Sequence, residues 1–206
     1  MFNFSRFLSG CALLLAVGAV HAQSAMFSHD ASGVSATSAG KTLRVDALRS
    51  DALRVRLYSA GHAPEDASWA VLPSSRTARV AVSGTADGFT TSALRVIVGA
   101  NLELTVSDMA GNVLQRDAAP VAWDGAGFRV SKQKDAEDHF FGLGDKPGPL
   151  DRVGESFVMW NTDNFGWQEI SDPIYKSIPF FLEMHAGRTI GVLFDNTYRT
   201  FFDFGH

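Results

Sequence analysis

The sequence predicts an all-β protein, an antiparallel β-sandwich, and two features of the chain favour this fold. Apolar and polar residues alternate along several short segments, and a period of two is typical of strands with one buried face. Turn-forming residues recur roughly every ten positions between these segments, which is the spacing expected of a sandwich. No long segment carries the apolar period of an amphipathic helix, so alternating strands and helices are not expected.

The segment of residues 53–58 shows the alternation most clearly. Leu53, Val55 and Leu57 alternate with arginine and tyrosine, so their side chains should share one face of a strand. Further strands are predicted around Val80–Val82, Leu94–Val98, Leu102–Val106, Val113–Gln115, Phe128–Val130, Phe157–Trp160, Ile178–Met184 and Thr189–Phe194. Turn residues join several of them, at Gly99–Asn101, Asp108–Asn112 and Ala186–Arg188.

Residues 1–22 are interpreted as a signal peptide that directs export. Arg6 provides the positive charge, and the 14 residues from Phe7 to Val20 are almost wholly apolar. Val20-His21-Ala22 places small residues at the positions that a signal peptidase recognises, with cleavage before Gln23. The apolar segment is shorter than the ~20 residues that a membrane-spanning helix needs. The mature protein is therefore expected to be periplasmic or secreted.

An alternative processing signal overlaps this segment. Leu8-Ser9-Gly10-Cys11 resembles a bacterial lipobox, in which the cysteine would carry a lipid. Only Phe7 and Leu8 separate the motif from Arg6, and most of the apolar segment follows the cysteine. This layout favours ordinary cleavage before Gln23.

The composition of the mature chain excludes several classes of partner and site. Cleavage removes Arg6 and no acidic residue, so 18 Lys and Arg become 17 against 22 Asp and Glu, a net charge of −5. Nucleic acids and anionic membranes need clustered positive charge, so neither is expected as a partner. Cleavage also removes Cys11, the only cysteine. The mature protein can then have no disulfide, thiolate nucleophile or cysteine metal site.

The mature chain is expected to contain one domain. Residues 23–41 are predicted to be a flexible leader with at most one short strand, because they are rich in small residues and lack periodicity. Residues 42–206 are predicted to form the sandwich, since no repeat or linker divides them. The chain stops in the apolar run Phe201–Phe204, whereas domains usually finish at exposed polar residues. The sandwich is therefore expected to be truncated, with a further segment covering this run.

The densest group of candidate functional residues is the WNTDNFGW stretch that begins at Trp160. A sugar presents hydroxyls at its edge and C–H groups on its faces, so a sugar site needs amides, carboxylates and aromatic rings. Asn161, Asp163, Phe165 and Trp167 supply that combination and are the candidate substrate-binding residues. The alternative interpretation is structural: Asn161 and Asp163 would cap a turn through their own backbone, and Trp160 would pack in the core.

Residues 142–152 contain several glycines and prolines but are not expected to bind phosphate. Their order differs from that of a phosphate-binding loop, and no helix follows to supply an anion-binding end. They are interpreted as a rigid turn, in which Asp145 and Lys146 can pair at the surface. No pattern of serine, histidine or carboxylate residues defines catalytic residues, a metal site or a cofactor site.

Four motifs follow one another between residues 138 and 206. They are FFGLGDKPGPLDR from Phe140, WNTD from Trp160, DPIYKSIPFF from Asp172 and FDNTYRTFFD from Phe194. In this order they resemble the late part of the N-terminal β-sandwich of glycoside hydrolase family 31, the α-glucosidase and α-xylosidase family. The strand pattern of residues 42–132 fits the preceding part. Asp145 stands where the family commonly has glutamate, a conservative difference.

The resemblance implies a galactose mutarotase-like sandwich that packs against a (β/α)8 barrel. In the family the barrel supplies an aspartate nucleophile and an aspartate general acid/base, so no catalytic residue is expected in this chain. The resemblance matches Asp163 to a loop aspartate that binds substrate, with Asn161, Phe165 and Trp167 as candidate neighbours. The expected function is the non-catalytic, carbohydrate-contacting N-terminal domain of an exported α-glucosidase-like enzyme that acts on α-glucoside or α-xyloside oligosaccharides.

Two other functions stay open at this point. A free-standing periplasmic carbohydrate-binding sandwich would have to be soluble and bind oligosaccharide on its own. The apolar run Phe201–Phe204 disfavours it, because uncovered apolar patches promote aggregation. A structural or chaperone-like envelope protein is compatible with the sandwich alone.

Overall fold

The structure, a computed structural model, describes residues 24–125 and 127–206. The strands in these residues are β1 (Met26–Asp30), β2 (Gly33–Ser38), β3 (Lys41–Arg49), β4 (Ala52–Ser59), β5 (Ser83–Thr85), β6 (Gly88–Thr90), β7 (Leu94–Val98), β8 (Leu104–Asp108), β9 (Val113–Asp124), β10 (Gly127–Lys132), β11 (His139–Gly144), β12 (Ser156–Met159), β13 (Ser177–His185), β14 (Arg188–Leu193) and β15 (Thr200–Asp203). One short helix, α1 (Pro73–Thr77), lies between β4 and β5. None of the helical structure in the described ranges has the length and apolar character to span a membrane. The predicted signal peptide and the alternative lipobox at Cys11 lie outside the described residues.

The strands form four antiparallel sheets. The first sheet has the order β1-β2-β3-β4, and the second has the order β10-β9-β8-β7-β6-β5. The third sheet has the order β11-β13-β14, and the fourth pairs β12 with β15. Neighbouring strands in the first two sheets mostly follow one another in the chain, which is the connectivity of hairpins. The all-β antiparallel fold predicted from the periodicity is confirmed.

An aliphatic core joins the first and second sheets. Its buried members are Val34, Ala36, Leu43, Val45, Ala47, Phe89, Val96, Val98, Leu102 and Leu104. Along β7, Leu94, Val96 and Val98 are buried and the two residues between them are exposed. The period of two was therefore readable in the sequence because one face of β7 meets this core. Burial of each valine, leucine or phenylalanine side chain contributes about 1.5–3 kcal/mol relative to exposure.

An aromatic core joins the third and fourth sheets. Its members are Phe140, Leu143, Phe157, Met159, Phe181, Phe202 and Phe204. The rings of Phe140 and Phe204 stack with their centroids 4.7 Å apart, and Phe181 meets Phe204 edge to face at 5.3 Å. Such ring pairs add about 0.5–1.5 kcal/mol each beyond the area that they bury. Two phenylalanines of the apolar run that ends the sequence, Phe202 and Phe204, are thus core residues, whereas Phe201 is exposed.

The prediction of a flexible leader over residues 23–41 is wrong. Residues 26–38 form β1 and β2, and β2 pairs with β3 along its whole length. Val34 and Ala36 of β2 are completely buried in the aliphatic core. A Cβ atom on Gly33 would lie 2.1 Å from the carbonyl oxygen of Val45, so glycine is needed for the close approach of these strands. Because β2 has only two apolar side chains, its alternation is too short to be recognised as a strand from the sequence.

Two strand predictions need smaller corrections. Val80 and Val82 pack against the aliphatic core, but they lie outside any strand. Val55 was expected to share a buried face with Leu53 and Leu57. Those two leucines pack against the aliphatic core, while Val55 is 46% exposed. Its strand, β4, is an edge strand of the first sheet, so only β3 flanks it within the sheet.

The first sheet also carries a cluster of ion pairs centred on Asp46 and Arg44. The carboxylate of Asp46 lies 2.7 Å from Arg44, 3.1 Å from Arg56 and 3.5 Å from Arg79, and its side chain is 3% exposed. Arg44 also lies 2.7 Å from Asp30. The hydrogen bond from Arg44 lowers the pKa of Asp30 to about 2. Charge that this sheet buries is therefore matched by charge of the opposite sign.

Candidate functional site

The loop between β12 and β13 carries the four predicted substrate-binding residues, and its neck is closed by hydrogen bonds. The Oδ1 atom of Asn161 accepts a hydrogen bond from the backbone nitrogen of Ser177 at 2.8 Å. The Oγ atom of Ser177 accepts one from the backbone nitrogen of Trp160 at 2.9 Å. The backbone nitrogen of Thr162 donates to the carbonyl of Tyr175 at 3.2 Å. The two ends of the loop are thus fixed to each other.

The tip of this loop faces solvent. Asp163 is exposed, and its carboxylate has no hydrogen-bond or ion-pair partner in the described part of the chain. Phe165 is 96% exposed and Trp167 is 47% exposed. Gly166 has a φ of +81°, which favours glycine and lets the chain reverse between the two aromatic residues. The tip therefore offers a free carboxylate beside two rings.

The four predicted residues are divided between the neck and the tip of this loop. Asn161 lies at the neck, where its side-chain oxygen bonds to the backbone across the loop rather than to its own turn. Trp160 is 48% exposed, so the alternative interpretation that placed it in the core is wrong. Asp163, Phe165 and Trp167 lie beyond the neck, and their role in substrate binding stays a prediction.

A buried ion pair supports the base of the loop. The side chain of Lys146 is completely buried, and its Nζ atom donates to Oδ1 of Asp172 at 2.7 Å and to the carbonyl of Val158 at 2.6 Å. The other carboxylate oxygen of Asp172 accepts a hydrogen bond from the backbone nitrogen of Val158. The predicted surface pair of Asp145 with Lys146 is wrong, because the lysine points inward. Asp145 instead lies 3.7 Å from Lys176.

The turn of residues 142–152 is braced from inside, as expected of a structural turn. Gly144 has a φ of +82°, and a Cβ atom there would lie 2.6 Å from the carbonyl oxygen of Lys176. Only glycine therefore allows β11 to approach the start of β13 at this irregular register. Arg152 is buried, and its guanidinium donates to three backbone carbonyls of the turn. These contacts hold Lys146 in position toward the loop.

Two further loops reach the same side of the molecule. Residues 195–199, between β14 and β15, lead into Thr200, which pairs with Met159 next to the neck. The Oγ atom of Ser68 donates to Oδ1 of Asp195 at 2.8 Å, which joins the segment between β4 and β5 to this loop. We call the three segments, residues 60–82, 160–176 and 195–199, the loop edge. Its exposed large apolar and aromatic side chains are Trp69, Leu72, Trp160, Phe165, Trp167, Ile170, Tyr175 and Tyr198.

Sequence reasoning did not single out Trp69 or Tyr198. The available signal for Trp69 is a tryptophan in a segment without apolar periodicity, since such a residue has no predicted core face to occupy. The contact of Ser68 with Asp195 joins residues 127 positions apart, and nothing in either local pattern announces it.

A separate group of titratable residues lies beside the turn between β13 and β14. Asp135, Asp138 and His185 are the group among the described residues whose ligand atoms, all within 4.8 Å of one another, could hold a metal ion. Two contacts already account for Asp138: Nδ1 of His185 lies 2.8 Å from one carboxylate oxygen, and the backbone nitrogen of Asp135 donates to the other at 2.6 Å. Burial raises the pKa of the nearby Glu183, and the negative charge of Asp138 raises it further. The expected absence of a metal or cofactor stays a prediction.

The chemistry of the loop edge suits contact with a sugar. Three of its carboxylates are engaged: Asp172 by Lys146, Asp195 by Ser68, and Asp66 by Arg54 and Arg76. Asp163 is exposed and free to accept hydrogen bonds from hydroxyl groups. Exposed rings on the same loops offer apolar faces for the C–H groups of a sugar.

Comparison with known proteins identifies the family. Residues 42–203 match the glycosyl hydrolase 31 N-terminal galactose mutarotase-like domain. The chain belongs to this family. The resemblance carried by the motifs between residues 138 and 206 is therefore confirmed, together with the galactose mutarotase-like fold.

Curated relatives in this family are α-glucosidases. The chain is 47% identical over 74 residues to alpha-glucosidase 2 of Bacillus thermoamyloliquefaciens, a match that covers 35% of this chain and 9% of the relative. It is 37% identical over 76 residues to an alpha-glucosidase of Saccharolobus solfataricus, covering 37% of this chain and 11% of the relative. The matched segment of this chain thus corresponds to about a tenth of the length of each relative.

Solved structures of family 31 enzymes share the fold. The family 31 dextranase of Flavobacterium johnsoniae, solved in complex with isomaltotriose, superimposes with a TM-score of 0.78 at 29% identity, covering 89% of this chain and 23% of the dextranase. A family 31 α-xylosidase from a soil metagenome, at 17% identity and a TM-score of 0.64, shows the same fold over 87% of this chain and 29% of its own. The chain spans less than a third of either enzyme.

Proposed function

We propose that this chain is the non-catalytic, carbohydrate-contacting N-terminal part of an exported α-glucosidase-like glycoside hydrolase. The loop edge contacts an α-glucoside or α-xyloside oligosaccharide, and a (β/α)8 barrel outside the chain supplies the catalytic aspartates. The observation that carries the proposal is Asp163, a free and exposed carboxylate on a loop whose neck is fixed. The family match and the glycosidase names of the relatives support it.

The fixed neck matters because binding is stronger when a loop is already in its bound conformation. The hydrogen bonds between Asn161 and Ser177 and the buried pair of Lys146 with Asp172 hold both ends of the loop. Asp163 can then accept hydrogen bonds from two neighbouring hydroxyl groups without ordering the chain first, since an ionised carboxylate is an acceptor at both oxygens. Asn161 acts mainly through the position that it gives to Asp163.

The test compares sugar binding by the chain and two variants. We expect the chain to bind isomaltotriose weakly in a calorimetric or NMR titration, with a dissociation constant on the order of 1 mM. The substitution Asp163→Ala should weaken binding by about tenfold to a hundredfold, because a charge-assisted hydrogen bond contributes about 1.5–3 kcal/mol. Asp51→Ala is the matched control, an exposed aspartate of the β3–β4 turn that pairs with Arg49. Equal affinities of the two variants would contradict the proposal.

A second measurement addresses the non-catalytic role. The chain alone should not hydrolyse maltose or an aryl α-glucoside, because the proposal places both catalytic carboxylates outside it. Turnover that Asp163→Ala abolishes would refute this part of the proposal. Mass spectrometry of the protein recovered from the periplasm or medium checks export, with Gln23 expected as the first residue.

A further inference from the structure

We propose that Trp69 is a second sugar-contacting residue, whose indole face stacks on a sugar unit of the same oligosaccharide that reaches Asp163. This inference rests on the proposed function and extends the site to a loop from the other half of the chain. It assigns the residue a role in preferring oligosaccharides over single sugars.

Trp69 is held in solvent by a braced loop. Its side chain is 95% exposed. The guanidinium of Arg76 donates to the carboxylate and the carbonyl of Asp66 at 3.2 and 3.0 Å, and to the carbonyl of Val71 at 2.8 Å. Arg54 of β4 adds an ion pair with Asp66 at 2.7 Å. Because the backbone that carries the ring is fixed, only the few side-chain torsions of Trp69 lose conformational freedom when a ligand covers it.

One hydroxyl group fixes the residues around the ring. The Oγ atom of Ser68 accepts hydrogen bonds from the backbone nitrogens of Ala70 and Val71 at 3.1 and 2.9 Å. The same atom donates to Asp195 at 2.8 Å. The turn that presents Trp69 is therefore anchored directly to the loop between β14 and β15.

This anchor brings Trp69 to the loop edge that contains Asp163. The loop that starts at Asp195 ends at Thr200, which is in register with Met159. From Met159 the chain continues through the neck to Asp163. The loop of residues 195–199 thus connects the turn of Trp69, through Asp195, to the strand beside the neck of the Asp163 loop. A ligand that contacts both residues must be long enough to reach from one to the other, which an oligosaccharide can be.

The surroundings of Trp69 favour a sugar over a protein partner. Glu65 and Asp66 precede the ring, and Asp195 lies beside its turn, whereas the cores of protein interfaces are depleted of charged residues. Sugar sites combine rings with carboxylates, as this loop does. The outward face of β13 shows the contrast, because its exposed side chains are contiguous and apolar: Ile178, Phe180, Leu182 and Met184. That face has the composition of a protein contact, and the turn of Trp69 does not.

The test is an NMR titration of the chain with isomaltotriose and with glucose. The sequence contains four tryptophans, and the spectrum of Trp69→Phe identifies the indole N–H signal of Trp69. We expect this signal to move with isomaltotriose and much less with glucose. The dissociation constant for isomaltotriose should rise about tenfold in Trp69→Ala and less in Trp69→Phe, since phenylalanine keeps a smaller ring face. Trp123→Ala, at the partly exposed tryptophan of β9, is the matched control and should bind as the unaltered chain does.

Each other outcome has a defined meaning. Unchanged affinity in Trp69→Ala, with weakened affinity in Asp163→Ala, overturns the inference and leaves the proposed function standing. Absence of any binding by the unaltered chain overturns both. A Trp69 signal that shifts with protein concentration but not with sugar assigns the ring to a protein contact and also overturns the inference. If Trp69→Ala fails to fold, the inference is tested by the indole N–H signal of Trp69 in the unaltered chain and by the affinity of Trp69→Phe for isomaltotriose.

Discussion

The aliphatic core and the aromatic core differ in the side chains that fill them. Nine of the ten members of the aliphatic core are aliphatic, and Phe89 is the exception. Five of the seven members of the aromatic core are phenylalanines, and their rings contact one another across the third and fourth sheets. The first core is spread over many strands, whereas the second concentrates its burial in a few large side chains.

The outer faces differ even more than the cores. β7, in the second sheet, alternates buried and exposed residues, as a sheet with one solvated face does. β13, in the third sheet, buries Phe181 on one face and leaves Phe180 and Leu182 39% and 36% exposed on the other. Apolar residues on both faces are typical of strands that are covered on both sides. The outward face of β13, in the half of the chain that carries Asp163, therefore has the composition of a surface that is covered by another part of a protein.

The largest expected effect comes from the substitution of a core ring. Phe181→Ala should lower the free energy of unfolding by about 3–5 kcal/mol, because it leaves a cavity among Phe140, Phe202 and Phe204. Urea denaturation measures the loss. Phe180→Ala, the neighbouring residue on the outward face, is the matched control and should cost about 1 kcal/mol or less. Similar losses in the two variants would mean that the outward face of β13 is covered in solution, and the contrast between the two faces would fail.

A smaller effect is expected at the base of the Asp163 loop. Asp172→Ala should cost about 2–4 kcal/mol in stability, because it leaves the buried ammonium of Lys146 without its carboxylate. Hydrogen exchange should rise in residues 160–171 before it rises in β7. Lys176→Ala is the control, since its side chain is 75% exposed and lies 3.7 Å from Asp145. Its effect should stay below about 0.5 kcal/mol.

These two regions also show what the sequence could and could not predict. The aliphatic strands were predictable where one face is buried and the other solvated, as in β7, and β2 was missed because Val34 and Ala36 are its only apolar side chains. The Asp163 loop was identifiable because its composition is local. The pairs of Lys146 with Asp172 and Ser68 with Asp195 were not, because they depend on how distant strands are brought together.

The smallest expected effect is a difference in pH dependence between two acids. Burial raises the pKa of Glu183 above its ordinary value of 4.5, with a hydrogen bond from Gln115 opposing the shift. In the pH range between the unfolded and folded pKa values, the folded state holds more protons than the unfolded state, so stability falls as pH rises through that range. Glu183→Gln should therefore match the unaltered protein near pH 4 and melt about 2 °C higher near pH 7.5. Melting temperatures measured across this range give the result.

The matched acid in the other half should behave in the opposite way. The hydrogen bond from Arg44 lowers the pKa of Asp30 to about 2, so its contribution is present above about pH 4 and is lost as pH falls through the folded value. Asp30→Asn should therefore reduce stability at neutral pH and converge with the unaltered protein in acid. Asp138, Lys132 and His185 also interact electrostatically with Glu183, so the measured difference reports the loss of the Glu183 charge together with its coupling to these three groups. Two stability profiles with the same pH slope would contradict the expected difference between these two carboxylates.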